Sequence, residues 1–369
     1  MKQFVIFIFL FLSVIVSGQT KTCWPNFRGD AALTGVTQST FPDKIEILWT
    51  FSTEDQFKSS PVVCKKTIVV AAMDGTLYAI SMIGEKLWSF KSESGFEAPA
   101  TIHGAYVFVG DLNGTIFCLS LKTGEELWQF KTDGQIMGSP VVYSWQNKDV
   151  LMFGSYDYFL YALDPDSGKL LWKYESDNYI NGAPACLNGE VVFGGCDGFL
   201  HVISVLDGKL NEKVEVATYV AGSSALENKM AYTGDYDGRF SAIDLEHKTI
   251  KWRWEDVNKN LAFIASPALS DGKVVAGCRD KFLYCFDKSD GSVIWKYNTG
   301  SRVDASPVIS GSKVLAANMR GDLLILDLNT GKKLLSYELG SAISATPAVV
   351  DGKIIIAAED GNLYCLGEQ

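Results

Sequence analysis

The sequence predicts an all-β fold, an eight-bladed β-propeller of four-stranded antiparallel blades. The first observation behind it is a small-small-Pro tripeptide that recurs every ~41 residues, a period typical of propeller blades. It stands at Ser59-Ser60-Pro61, Glu97-Ala98-Pro99, Gly138-Ser139-Pro140, Gly182-Ala183-Pro184, Ala265-Ser266-Pro267, Ala305-Ser306-Pro307 and Ala345-Thr346-Pro347, and Gly222-Ser223-Ser224 fills the gap without its Pro. The second is the pattern inside each unit. A Pro-led apolar run, a β-branched run, an Asp-Gly-type turn, an aromatic-rich run, a Thr-Gly-type turn and a Trp-bearing run read as four strands. The third lies at the ends: the last unit stops after its third strand, and the run 45–51 stands ready to supply the missing fourth. Joining the termini in one blade closes a ring and removes free sheet edges.

Taken in order, the chain opens with Lys2, an apolar run over 4–16 and the small residues Ser17 and Gly18. That is the pattern of a secretory signal segment, 1–18, shorter than the ~20 apolar residues a membrane-spanning helix needs. No later stretch is apolar enough to span a bilayer. An extension, 19–44, leads into the propeller, 45–369. In the first unit the strands fall at 61–64, 67–72, 76–80 and 86–90, with Asp74-Gly75 turning the second hairpin. Trp49, Trp88, Trp128, Trp172, Trp252 and Trp295 mark fourth strands, and their rings are expected to fill the outer gaps between blades. Two units depart from the pattern. The outer run 209–216 carries Glu212 where Trp is expected, and 143–149 is an insertion that places Trp145 on a longer, exposed loop.

A net charge of -10, with 43 acidic against 33 basic residues and no basic run, argues against nucleic acid as a partner. The eight cysteines raise the question of disulfides in an exported chain. Cys118, Cys285 and Cys365 share one third-strand position with Ala79, Ala162 and Ala242, so they read as small core residues. A turn at Asn188-Gly189 puts Val191, not Cys196, opposite Cys186. Cys23, Cys64 and Cys278 have no evident partner, and no essential disulfide is expected. His103, His201 and His247 stand in different units, without the clustering a zinc site draws on, and read as surface or strand-end residues. Asp74, Asp197, Asp237 and Asp360 read as turn formers rather than calcium ligands, which converge six or more at a time.

The run Ala162-Leu163-Asp164-Pro165-Asp166-Ser167-Gly168-Lys169-Leu170-Leu171-Trp172 resembles the tryptophan-docking motif of the PQQ-type propeller repeats. Trp24-Pro25-Asn26-Phe27-Arg28-Gly29 resembles the opening of many secreted propellers of that family. The resemblance covers essentially the whole chain after the signal segment. It implies either a quinoprotein dehydrogenase with pyrroloquinoline quinone (PQQ) and calcium, or a non-enzymatic propeller of the BamB-like kind that serves outer-membrane protein assembly. Adjacent cysteines, expected over the quinone, are missing, as is a C-x-x-C-H haem site. The resemblance therefore points to the non-enzymatic branch, although the lipoprotein cysteine of BamB has no counterpart here.

In such a blade the loop entering strand one and the turn between strands two and three share one face, the mouth of the central channel. The residue three before each Pro varies, as Lys58, Met137, Asn181, Ala221, Ile264, Asp304 and Ser344. So does the residue before the turn Asp, as Met73, Leu112, Tyr156, Cys196, Tyr236, Arg279, Met319 and Glu359. Mixed aromatic, basic and apolar groups on one face suit a protein contact. Lys58, Asn181, Asp304, Tyr156, Tyr236 and Arg279 are the candidate partner-binding residues, with Trp145 as a docking anchor. The expected function is an exported, non-catalytic scaffold in the periplasm or cell envelope, a monomer within a complex of envelope or outer-membrane proteins, with no catalytic residues, cofactor or metal. The alternatives are a PQQ-dependent oxidoreductase and a small-ligand or glycan binder using Tyr156 and Tyr236.

Overall fold

A computed structural model describes residues 23–368 apart from 217, 218, 221, 258 and 259. The signal segment 1–18, residues 19–22 and the candidate position Ala221 lie outside the described residues. The strands form eight four-stranded antiparallel sheets. Blade 1 comprises Val62–Cys64, Thr67–Ala71, Thr76–Ser81 and Lys86–Lys91, innermost first. Blades 2 to 8 begin at Thr101, Val141, Ala185, Ala225, Ala268, Val308 and Ala348. Blade 8 takes Glu46–Ser52 as its outer strand, paired antiparallel with Asn362–Gly367, so the ring is closed by the two ends of the chain.

Burial follows from stacking. Second strands such as Thr67–Ala71 are covered on both faces by neighbouring blades and read as unbroken β-branched or aliphatic runs. Outer strands such as Lys86–Lys91 alternate exposed and buried residues. The repeat's outer-strand Trp donates its indole N–H to a carbonyl in the turn after the third strand of the next blade, as in Trp88 to Leu121 at 2.9 Å, Trp128 to Pro165 at 3.1 Å and Trp295 to Leu328 at 2.8 Å. The ring lies on the glycine of that turn. At Gly168, which has φ +68°, a Cβ would fall 2.6 Å from Trp128. The Thr-Gly turn of the repeat is thus a seat for the indole.

Two seams lack the Trp, for separate reasons. Glu212 of blade 4 meets Lys248, a non-glycine residue with φ +59° at the seat position of blade 5, in an ion pair of 2.6 Å. Leu335 of blade 7 faces blade 8, whose third and fourth strands come from opposite ends of the chain and are joined by no turn.

The extension does more than lead in. Its carbonyls accept the backbone N–H of the same inner-strand position in blade after blade: Trp24 from Val63, Pro25 from Ile102, Ala31 from Cys186, Ala32 from Leu226, Thr34 from Leu269 and Gly35 from Ile309. Thr37 Oγ1 then donates to Val349 O of blade 8 at 3.0 Å. The segment is a hoop inside the channel. Arg28 at its centre is fully buried, donates from Nη2 to Pro267 O at 2.8 Å, and occupies the space a side chain at Gly35 would need.

Four sequence expectations are corrected. Cys23 and Cys64 form a disulfide, which pins the start of the hoop to the inner strand of blade 1. His201 is completely buried in mid-strand, between Asp197 at 2.7 Å and Tyr174 at 3.0 Å, where most other blades carry an aromatic ring. The insertion at 143–149 is no loop: it lengthens the first hairpin of blade 3, with Gln146 and Asn147 both at positive φ as in a two-residue turn. Trp145 is half-buried there, stacked on Tyr143 and packed over Gly189, at the end of the channel opposite the mouth. Finally, the inner strands of blades 1 and 2 begin at Val62 and Thr101, so Pro99 stands at the Ser60 position and Glu97 is the blade 2 counterpart of Lys58.

Candidate binding site at the channel mouth

The small residue before Pro has a specific task. Ala183 N–H donates to Ser223 Oγ at 2.8 Å, Ser223 N–H to Ser266 Oγ at 3.1 Å and Ser266 N–H to Ser306 Oγ at 2.9 Å. Ser306 N–H then donates to Thr346 Oγ1 at 3.2 Å, and Thr346 N–H to Ser60 Oγ at 2.8 Å, across the closing seam. Each hydroxyl satisfies a buried amide of the neighbouring blade, which would otherwise be orphaned in a water-poor interior. The relay stops at blade 2, where Pro99 carries no hydroxyl.

Inside this ring lies a mouth pocket of about 300 Å³, lined by residues of every blade, with Phe27 of the hoop closing it from below. Lys58, Asn181 and Asp304 all line it. Lys58 pairs with Glu97 at 3.2 Å on the exposed rim. Asp304 is almost buried; both of its oxygens accept from Arg279 at 3.1 Å, and Arg302 approaches at 3.4 Å. That carboxylate raises Arg279 above the usual guanidinium value. Asn181 donates to Cys196 Sγ at 3.1 Å.

A second set of backbone bonds fixes the residues around the pocket. The N–H before each turn Asp donates to the loop entering strand one of the same blade: Tyr156 to Gln135 O, Cys196 to Tyr179 O, Tyr236 to Tyr219 O and Arg279 to Ala262 O, all at 2.9–3.2 Å. These bonds bring aromatic rings together. Tyr156 stacks on Tyr179 with centroids 4.8 Å apart, Tyr158 leans on Tyr179 at 5.2 Å, and Tyr236 meets Tyr219 edge-on at 6.4 Å. Tyr158, Tyr179, Tyr219 and Tyr236 are each 39–47% exposed. Tyr156 is shifted up by burial, with Cys196, Tyr236, Glu97 and Tyr179 adding to the effect.

Six of the seven predicted residues thus share the mouth face, and Trp145 lies away from them. Glu97, Tyr158, Tyr179, Tyr219 and Arg302 were missed. Glu97 was hidden by the displaced Pro99. Tyr179, Tyr219 and Arg302 each stand two residues before a predicted position, Asn181, Ala221 and Asp304, and so form a third variable position in the repeat.

Among the described residues no three His, Cys, Asp or Glu side chains converge as a metal site would require. The two carboxylates that line the pocket, Glu97 and Asp304, are already held by Lys58 and by Arg279 with Arg302. This donor set does not fit a calcium-bound quinone, whose ion calls for several converging oxygens. What the mouth offers is a rigid polar well beside an aromatic platform.

The architecture is that of an eight-bladed β-propeller of four-stranded antiparallel repeats. Residues 82–368 match the profile of the β-propeller of the beta-alanine-activating enzyme, and the chain belongs to that propeller family. Among solved structures it is similar to BamB from Moraxella catarrhalis, with 16% identity, a TM-score of 0.75 and coverage of 88% of this chain and 98% of that one. A europium-containing methanol dehydrogenase is similar at 13% identity and TM-score 0.80, over 95% of this chain and 99% of that one. The quinohemoprotein alcohol dehydrogenase from Comamonas testosteroni is similar at 13% identity and TM-score 0.78, over 95% and 81%. At these identities the likeness is one of fold. No curated protein matches the sequence.

Proposed function

We propose that the chain is an exported, non-catalytic scaffold of the cell envelope that binds a protein partner on its mouth face, in the manner of BamB-like propellers. One observation carries this reading: an exposed tyrosine platform is fixed by backbone bonds to the entering loops beside a well whose carboxylates are paired with Lys58, Arg279 and Arg302. Rigid aromatic side chains give large contact area at low ordering cost, which suits recognition of a protein surface. Partners in outer-membrane protein assembly fit the resemblance to BamB.

The test is site-specific photocrosslinking of the chain in envelope extracts, with the probe at Tyr236 or Lys58 on the mouth and at Leu127 or Leu334 on the outer strands. A defined adduct at the mouth positions alone is the expected result. Adducts only at the outer strands, or a saturable response to PQQ with calcium, would overturn the reading.

A further inference from the structure

The mouth face is divided. Over blades 3 to 6 its exposed large apolar side chains include Tyr158, Tyr179, Tyr219, Tyr236, Val257 and Leu261. Over blades 6 and 7 it carries Arg279 and Arg302, both paired with Asp304, and Arg320, paired with Asp322. Three guanidinium groups share two carboxylates, so this sector is positive on a protein whose net charge is -10. Arg302 and Arg320 are 51% and 60% exposed, which leaves donors directed to solvent. The two sectors adjoin, since Tyr236 and Arg279 occupy the same turn position in the consecutive blades 5 and 6.

We infer, resting on the scaffold reading above, that the occupant of the mouth face is an acidic peptide segment of a partner protein, its apolar side chains on the tyrosine platform and its carboxylates on Arg302 and Arg320. Charge complementarity decides the chemistry. An acidic segment is repelled by most of this surface and attracted to one sector of it, which fixes where and in which direction it lies. Arginine supplies the planar, two-pronged donor geometry that carboxylates accept. Tyrosine supplies an apolar body with a polar tip, so the platform binds apolar side chains without needing to be dry.

The experiment uses the chain and three fluorescein-labelled twelve-residue probes read by anisotropy. One alternates Phe or Leu with Asp or Glu, one replaces the acids by Lys, and one replaces the apolar residues by Ser. The acidic apolar probe is expected to bind roughly tenfold more tightly than either of the others, and to weaken as salt rises. Arg302→Glu with Arg320→Glu should remove that preference, and Tyr179→Ala with Tyr236→Ala should weaken binding roughly tenfold, with melting temperature measured alongside to show the fold intact. Equal binding of acidic and basic probes would overturn the proposal, as would tight binding of neutral maltoheptaose indifferent to the arginines. If a mouth-crosslinked partner is lost on Tyr179→Ala with Tyr236→Ala but kept with both arginines reversed, the scaffold reading stands and the acidic occupant falls.

Discussion

Glu212 and Lys248 form an ion pair at the position where other seams set a tryptophan on a glycine. Both halves of the contact have changed together. A Trp alone would strike the side chain at 248, and a Gly alone would leave Glu212 without a counter-charge. Glu212→Trp and Lys248→Gly are therefore expected to destabilise singly and to recover together, with a coupling of about 1 kcal/mol or more in a double-mutant cycle of denaturant unfolding.

Thr346 N–H to Ser60 Oγ is the link of the hydroxyl relay that crosses the closing seam. Removing the acceptor in Ser60→Ala strands a buried amide, at a cost of about 1–3 kcal/mol. Ser344→Ala, on the loop of Thr346 but bonded to the side chain of Glu359, should cost less. Thermal unfolding of the two variants checks the difference.

Ser224 replaces the repeat's Pro, and its buried hydroxyl has no partner among the described residues. The relay through Ser223 is nevertheless intact, so the local backbone follows that of the Pro-bearing blades. Ser224→Pro is expected to raise stability by about 0.5–1 kcal/mol, mainly by restricting the unfolded chain. An unchanged or lower melting temperature would show that the backbone there differs.

Asp235 is buried, and burial raises its carboxyl above the ordinary value against the lowering effect of Arg239. A carboxyl raised in the native state favours folding at low pH, and that contribution declines as pH climbs from the unfolded value through the folded one. The equivalent residue of blade 7 is Asn318, which accepts the same turn amides and donates to Thr299 O. Asp235→Asn should therefore gain stability relative to the parent as pH rises from 4 to 7, where urea melts would reveal it.

Cys23 and Cys64 close a loop of sequence separation 41. Replacing both with Ser is expected to lower stability by about 3 kcal/mol. Hydrogen exchange should show the earliest new opening at Val63 and Ile102, whose amides bond the hoop.

Much of this molecule is written in its repeats. The blades, the shared blade 8 and the tryptophan seams depend on residue types that recur, such as Gly168 under Trp128. The hoop was not legible because it is held by backbone groups that every residue carries, and nothing in 23–37 repeats. The disulfide was hidden for a related reason: Cys23 lies outside the repeat, and the position of Cys64 is His103 in blade 2 and Leu187 in blade 4. Trp145 was misplaced because its turn, Gln146-Asn147, lacks the glycine that usually signals a tight hairpin. At the mouth, the variable positions could be found in the sequence, whereas the pairing of Tyr156 with Tyr179 needed the curvature of the ring.

The hoop also sets an order of events. Its bonds join Trp24 to a residue in the first blade and Thr37 to one 312 positions further along. Contacts of such separation wait for the intervening chain, so the Thr37 end of the hoop is fastened only once blade 8 is in place. Like a drawstring, it tightens a ring whose members are already in place, and a molecule missing its final blade has nowhere to tie the end.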